Sequence, residues 1–214
     1  MFKSEIFLSK AHLNFYCWMK QKESLDEILK IITPILKLGG IGVVPTDTLY
    51  GLVGSALNSE AVERIYRVRR RDLKKPMIVL ISSLNDLKKF GIKLNLAQEK
   101  KLKEFWPGKV SVILECKGKK FEHLHRRKNS IAFRFPYDFE LLKLLKKVGP
   151  LVAPSANRAG DEPATNFKEA RAYFTDEVDF YVDGGKLKSK PSTLVELDKK
   201  GEIKVLREGA VKIR

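Results

Sequence analysis

The chain has 214 residues, 43% of them hydrophobic, which is enough to bury a substantial core in a single domain. Its 42 lysines and arginines outnumber the 26 acidic residues, and the net charge of +16 favours an anionic partner, either a nucleotide or a nucleic acid. Cys17 and Cys116 form no CxxC pair, which excludes a disulfide framework and favours a reducing cytoplasm, and no apolar run reaches the ~18 residues of a membrane span.

Residues 1–23 are rich in aromatic side chains but lack a small-residue cleavage site, so we interpret them as an N-terminal extension of a domain at 24–214. Ser24 and Glu27 form a capping-box pattern before a helix in which Pro34 predicts a kink. The remaining pattern predicts helices at 58–70, 83–91, 97–106, 139–148 and from 166, and strands at 41–44, 77–82, 110–115, 131–135, 151–153, 180–182, 193–197 and 203–206. This alternation predicts a layered α/β domain, and the late strands without intervening helices predict a mixed sheet.

The segment 45–52, PTDTLYGL, follows the first of these buried strands. The hydroxyls of Thr46 and Thr48 can each donate and accept a hydrogen bond, which suits a small zwitterionic ligand. The same residue types also form turns that only redirect the chain. From the residues alone, a ligand site and a structural turn are both open.

The segment 66–76, YRVRRRDLKKP, carries six cations at a predicted helix end and in the loop after it. Arginine side chains grip phosphate oxygens with two parallel hydrogen bonds, so the cluster suits a triphosphate. The helix dipole also favours cations at this end, but it explains only one or two of the six.

Two later segments have a similar polar character. Residues 154–160, PSANRAG, place Ser155 and Asn157 after a predicted strand, where they can contact a nucleotide or simply make a turn. The second combines the hydroxyl residues before the 193–197 strand with the lone arginine of LREGAV at 206–211. His123 and His125 have no further ligands at suitable spacing, so we predict no protein metal site.

Taken together and in this order, the four segments resemble the YrdC family. The resemblance covers about 28–211 and is supported by further motifs: Arg69-Arg70-Arg71, Trp106-Pro107-Gly108, Phe133-Arg134-Phe135-Pro136, Ser192-Thr193 and LREGAV. It implies a YrdC-like catalytic domain at 24–214. The implied fold is a twisted mixed α/β sheet, flanked by helices, around a positively charged cavity.

The resemblance also implies a reaction. A nucleotidyltransferase of this family condenses L-threonine, bicarbonate or carbon dioxide, and ATP to threonylcarbamoyl-AMP and pyrophosphate, with Mg²⁺ accompanying the nucleotide. A separate tRNA threonylcarbamoyl-transferase complex uses the product. RNA bound without sequence preference is a further expected partner, and a membrane is not.

By motif position, the resemblance assigns roles to individual residues. The catalytic contacts with phosphate fall to Arg69, Arg71 and Lys75. The contacts with threonine fall to Thr46, Thr48, Ser192 and Thr193. The contacts with the nucleotide fall to Ser111, Ser155, Asn157 and Arg207.

The sequence departs from the common family pattern at several positions. Arg69 replaces a frequent lysine, Asp72 a frequent proline, and Leu80 a histidine found in some members near the threonine site. Asp47 stands where glutamate is commoner. Two other functions stay open: a non-catalytic RNA-binding module, which the net charge of +16 also allows, and a protein of the same fold that acts on a different acceptor.

Overall fold

A computed structural model describes residues 4–8 and 22–213 of the chain. The described residues form one sheet of eleven strands, in the order β11-β10-β6-β7-β5-β8-β4-β3-β9-β1-β2. The strands are β1 (Ser4–Leu8), β2 (Lys22–Glu23), β3 (Ile41–Val44), β4 (Gly51–Ser55), β5 (Ile78–Leu80), β6 (Val110–Glu115), β7 (Ser130–Arg134), β8 (Leu151–Val152), β9 (Phe180–Asp183), β10 (Thr193–Leu197) and β11 (Ile203–Arg207).

The sheet is mixed, as predicted. Three neighbouring pairs are parallel, namely β10 with β6, β5 with β7 and β3 with β9, and the other pairs are antiparallel. Each parallel pair is joined through a long connection that contains helices, since parallel strands require a crossover. The predicted α/β class is therefore confirmed.

Six α-helices occur in the described part of the chain: α1 (Leu25–Lys37), α2 (Ser59–Arg69), α3 (Leu96–Phe105), α4 (Glu122–His125), α5 (Phe139–Val148) and α6 (Phe167–Phe174). Their starts follow from local chemistry, because a short polar side chain accepts a hydrogen bond from the first turn of five of them. Ser24 forms a full capping box with Glu27, as predicted. The other four caps are Asn58, Asn95, Asp138 and Asn166.

The helices cover both faces of the sheet. Successive strand residues point to opposite faces, and accordingly Val43 and Leu52 lie in one core cluster while Val44 and Val53 lie in the other. The second cluster contains the buried faces of α1 and α5, which pack on one another. We refer below to this side as the α1/α5 face. No helix of the described part is long and apolar enough to cross a membrane.

Several elements differ from the sequence-based predictions. β4 was not predicted, because its sequence GLVGS contains two glycines, which weaken the strand signal. The short helix predicted at 83–91 is present as a 3-10 helix, Leu84–Phe90, and α1 continues through Pro34 to Lys37. β1 and β2 come from the predicted N-terminal extension, and β1 pairs with β9. Residues 9–21 of that extension lie outside the described part.

Candidate active site

The turn between β3 and β4 is held by its own hydroxyl groups. Thr46 Oγ1 donates to the carbonyl of Leu49 at 2.7 Å and accepts the N–H of Thr48 at 3.1 Å. The hydroxyl of Thr48 lies 3.1 Å from that of Thr46, and both residues are buried. Thr46 therefore makes the structural turn that the sequence left open, while Thr48 directs its hydroxyl toward a neighbouring strand.

That neighbour is Arg134 at the end of β7, a residue that the sequence-based site assignment did not include. Its Nη1 donates to Thr48 Oγ1 at 2.9 Å, and its Nη2 pairs with Asp47. The side chains of Arg134 and Asp47 are each only 5% exposed. Burial lowers the pKa of Arg134 to about 10, which still leaves it charged at neutral pH. The sequence feature that could have indicated this site is a single arginine between two phenylalanines, Phe133 and Phe135, in a predicted strand.

The pair is incompletely satisfied. Among the described residues, the second carboxylate oxygen of Asp47 (Oδ2) and the Nε of Arg134 are buried without a hydrogen-bond partner. A buried polar atom without a partner costs free energy, and in native proteins such atoms often mark a place where a ligand or water binds. The turn and the end of β7 thus form a buried polar site in which one acceptor, Asp47 Oδ2, and one donor, Arg134 Nε, can still form hydrogen bonds.

Arg69 is the centre of a second buried cluster, at the end of α2. Its Nε donates to the backbone carbonyl of Asn157 at 3.0 Å, and its Nη2 donates to Asn157 Oδ1 at 2.9 Å and to Ser155 Oγ at 3.4 Å. Nη1 is buried and has no partner among the described residues. Burial, and to a lesser degree the charge of Arg71, lowers the pKa of Arg69 to about 10. The predicted phosphate and nucleotide segments therefore meet at Arg69.

Backbone contacts join the two clusters. Gly51, at the start of β4, forms an antiparallel bridge with Ser155, and the N–H of Leu52 donates to the carbonyl of Pro154 at 2.9 Å. In the opposite direction, from the second segment to the first, the N–H of Ala156 donates to the carbonyl of Tyr50 at 2.8 Å. The PTDTLYGL turn and the PSANRAG turn are therefore adjacent and fixed relative to each other.

The third group lies where β6 and β10 begin. Ser111 and Ser192 share a hydrogen bond of 2.8 Å between their buried hydroxyls, and Arg207 donates to the carbonyl of Ser192 at 2.8 Å. Thr193 Oγ1 exchanges hydrogen bonds with the backbone of Val211, which fixes the end of the LREGAV segment. The Thr193 hydroxyl is therefore used in holding the backbone of Val211, whereas the hydroxyls of Ser111 and Ser192 bond, among the described residues, only to each other.

Sheet register places this third group beside Arg134. Val112 pairs with Phe133, so continuing the antiparallel register by one residue sets Ser111 opposite Arg134. Both side chains lie on the α1/α5 face, because Val112 and Phe133 point to the other one. Leu80 pairs with Arg134 from the opposite side, in β5. Residues from three strands and the β3–β4 turn therefore share one region of this face.

Arg71 and Lys75, which were also predicted to contact phosphate, lie outside the cluster around Arg69. Arg71 donates from Nε to the carbonyl of Lys75 and from Nη2 to that of Pro76, both at 3.0 Å, so it braces the loop that follows α2. Tyr66 donates to the same Lys75 carbonyl at 3.0 Å. The side chain of Lys75 is exposed. The loop is therefore held by its backbone and presents Lys75 to solvent.

In the pyrophosphate release that the family resemblance implies, we expect Arg71→Ala to lower kcat/KM for the nucleotide by about 10- to 100-fold, because two loop-bracing hydrogen bonds worth about 1 kcal/mol each are lost. Arg70→Ala is the matched control, since Arg70 is the exposed neighbour in the same loop. Equal activities of the two variants would remove Arg71 from the nucleotide site.

The described residues contain no group of three His, Cys, Asp or Glu arranged to hold a metal ion. His123 and His125 each contact a backbone carbonyl through Nε2, those of Ala56 and Gly118. Cys116 is buried, and burial raises its pKa to about 11, which makes it a poor nucleophile. Cys17 lies outside the described residues.

Comparisons with known proteins agree on one family. The family model for the Sua5, YciO and YrdC proteins, described as "Telomere recombination", matches residues 34–209. A relative from Methanocaldococcus jannaschii, provisionally named threonylcarbamoyl-AMP synthase, is 32% identical over 194 residues, covering 90% of this chain and 91% of its own. Threonylcarbamoyl-AMP synthase of Pyrococcus abyssi is 28% identical over 179 residues, covering 82% of this chain.

A solved structure extends the comparison to three dimensions. P. abyssi Sua5 in complex with L-threonine superposes with a TM-score of 0.78 at 28% identity and covers 85% of this chain. This chain spans 54% of that Sua5 chain, and 53% of the P. abyssi synthase sequence. The shared part therefore corresponds to about half of the longer relatives.

Proposed function

The chain belongs to the Sua5–YciO–YrdC family, and on that premise we propose that it is a threonylcarbamoyl-AMP synthase. In this reaction L-threonine, bicarbonate and ATP give threonylcarbamoyl-AMP, pyrophosphate and water, and with carbon dioxide in place of bicarbonate no water is released. The observation that carries the proposal is the adjacency of two buried, incompletely satisfied polar clusters, one around Arg134 and one around Arg69. One suits an amino acid and the other a nucleotide.

The amino-acid site is the cluster of Thr48, Asp47 and Arg134. A guanidinium group binds a carboxylate through parallel hydrogen bonds, and the partnerless Asp47 oxygen and the Thr48 hydroxyl can accept from an ammonium or hydroxyl group. Threonine offers these three groups on adjacent carbons. The pair of Ser111, in β6, and Ser192, which precedes β10, borders this site.

The nucleotide site is centred on Arg69. Its partnerless Nη1 can donate to a phosphate oxygen, and Ser155 and Asn157 hold the guanidinium in place. Lys75 and Arg207 supply further positive charge at the protein surface. Mg²⁺ would enter with the nucleotide as MgATP and would offset negative charge on its phosphates.

The chemistry needs alignment rather than a covalent nucleophile. Threonine's amine adds to carbon dioxide and forms a carbamate, and a carbamate oxygen attacks the α-phosphorus while pyrophosphate leaves. Arg69 neutralises charge on the phosphates, and Thr48 and Arg134 orient the amino acid. Holding the two reactants together in this way supplies much of the rate enhancement expected of such an enzyme.

Leu80 shapes the same site. It pairs with Arg134 in the sheet, is 1% exposed and packs in the core cluster with α5. An apolar residue there leaves Arg134 and Thr48 as the polar contacts on this side of the amino acid. In our proposal the family function is retained with this rearranged contact set, and a transfer complex that modifies tRNA consumes the product in the cytoplasm.

The proposal is tested by pyrophosphate release from MgATP and bicarbonate. We expect release with L-threonine and little with L-alanine or without an amino acid, because alanine lacks the hydroxyl that the polar site would bind. L-Serine, which lacks only the methyl group, should give intermediate rates. Release that is equal with and without threonine would contradict the synthase assignment.

A further inference from the structure

The connection between β6 and β7 is a strongly basic segment within the described part of the chain. We call residues 117–128 the basic connection. It carries one acid, Glu122, and six cations: Lys117, Lys119, Lys120, Arg126, Arg127 and Lys128. Glu122 is engaged by Arg127 at 2.8 Å. Neither the amino-acid site nor the nucleotide site uses any of these residues.

The basic connection is anchored to the domain and presents its charges in a fixed arrangement. Phe121 and Leu124 are buried in the core, while Lys119, Lys120 and Lys128 are exposed. His125 fixes the return of the chain, because its Nε2 lies 3.0 Å from the carbonyl of Gly118 and its Nδ1 accepts the N–H of Arg127.

The backbone enforces the same tight return. Arg126, Arg127 and Asn129 have positive φ angles of 49°, 65° and 54°, a region that non-glycine residues seldom occupy. Residues held there require surrounding contacts that over-determine the conformation. Arg126 has such contacts, since its guanidinium stacks on Tyr66 at 4.0 Å and pairs with Glu63 at 2.7 Å.

A groove runs beside the basic connection. It is a cavity of about 700 Å³, and its lysines come from three separate parts of the chain: Lys93, Lys117, Lys128 and Lys199. Glu115 at the groove pairs with both Lys117 and Lys199. Asp198 accepts the N–H groups of Lys200 and Glu202, so its carboxylate is used in a turn. Glu196 is the remaining acid of the lining.

This surface is separate from the amino-acid side of the candidate active site. Arg134 lies at the end of β7 and the basic connection lies before its start, so four residue steps of strand separate them, roughly 13 Å at ~3.3 Å per residue. Ser111 likewise lies at the opposite end of β6 from Lys117. A molecule bound along the basic connection would therefore leave the amino-acid site free.

We propose that the basic connection and its groove bind the phosphodiester backbone of RNA without reading its sequence. Exposed cations beside a groove suit a chain of regularly spaced phosphates. An anionic membrane is a poorer fit, because the apolar residues Phe121 and Leu124 are buried and none is offered for insertion. The exposed cations and the groove by themselves indicate binding of phosphate groups, whereas the choice of RNA as their source rests on the proposed function.

The test compares two triple variants of the full chain in binding a fluorescent, unmodified tRNA transcript. The first is Lys119→Gln with Lys120→Gln and Lys128→Gln. The matched control is Lys30→Gln with Lys146→Gln and Lys147→Gln, which lie exposed on α1 and α5 and remove the same charge. At ~0.1 M salt, we expect the first variant to bind about 10- to 100-fold more weakly, with a salt slope smaller by roughly 2, and the control to match wild type.

Equal losses in both triple variants would overturn the proposal, because net charge and not this surface would then govern binding. No loss in either would also overturn it, as would binding of phosphatidylserine vesicles in preference to tRNA. Pyrophosphate release is measured on the same samples and should stay at the wild-type rate in both variants. An inactive wild-type protein that still shows the tRNA difference would contradict the synthase and leave the RNA surface standing.

Discussion

Arg69→Ala should lower kcat/KM for threonine-dependent pyrophosphate release by about 100- to 1,000-fold. This is the range found when one buried donor to developing charge is removed from an active site. The side chain is 3% exposed and makes three hydrogen bonds to Ser155 and Asn157, so its loss also removes the group that orders the PSANRAG turn. Steady-state kinetics with varied ATP measure the effect.

Two controls separate charge from shape in this experiment. Arg67→Ala removes an exposed arginine from the same helix and should leave the kinetics unchanged. Arg69→Lys keeps the positive charge but loses the planar fork, so we expect an intermediate rate. A wild-type rate in a folded Arg69→Ala protein would show that the nucleotide is bound elsewhere.

Arg134→Ala has the second largest expected effect, and it acts on stability as well as on binding. Removing one partner of a buried ion pair leaves the other charge uncompensated, which costs about 3–5 kcal/mol of unfolding free energy. Asp47 would be left with neither Arg134 nor another partner for Oδ2 among the described residues. Urea unfolding measures the first effect, and calorimetric titration with L-threonine measures the loss of the amino-acid site.

A double-mutant cycle measures the interaction free energy between Asp47 and Arg134. Asp47→Ala combined with Arg134→Ala should recover part of the lost stability, because no buried charge remains unpaired. Threonine binding should stay lost in the double variant. Additive stability losses would mean that the two side chains do not interact, and threonine binding by the double variant would remove both from the amino-acid site.

Local signals in the sequence predicted most of the fold. α5 begins and ends where the apolar spacing predicts, and β6 and β10 also match their predicted bounds. These elements carry clear periodicity or apolar strand runs between turn residues. β4 was not predicted because its two glycines weaken the local strand signal, and its pairing with β3 and β8 is a long-range feature that no local pattern shows.

The candidate site was predictable only in part. Ser155 and Asn157 lie in a distinctive segment, and the structure brings both of them to Arg69, a contact that the sequence did not predict. The pair of Asp47 and Arg134 joins residues 87 positions apart, and no local pattern encodes such a contact. The composition of 66–76 also gave no sign that Arg71 turns back onto its own loop.

The central claim is that this chain joins threonine, bicarbonate and the adenylate of ATP in one product. Mass spectrometry after incubation with MgATP, ¹⁵N-labelled L-threonine and ¹³C-labelled bicarbonate tests it directly. We predict a single nucleotide that carries both labels and is absent in the Arg69→Ala variant. A nucleotide product without the threonine label, or no product from a folded protein that still binds ATP, would contradict the claim and indicate a different acceptor.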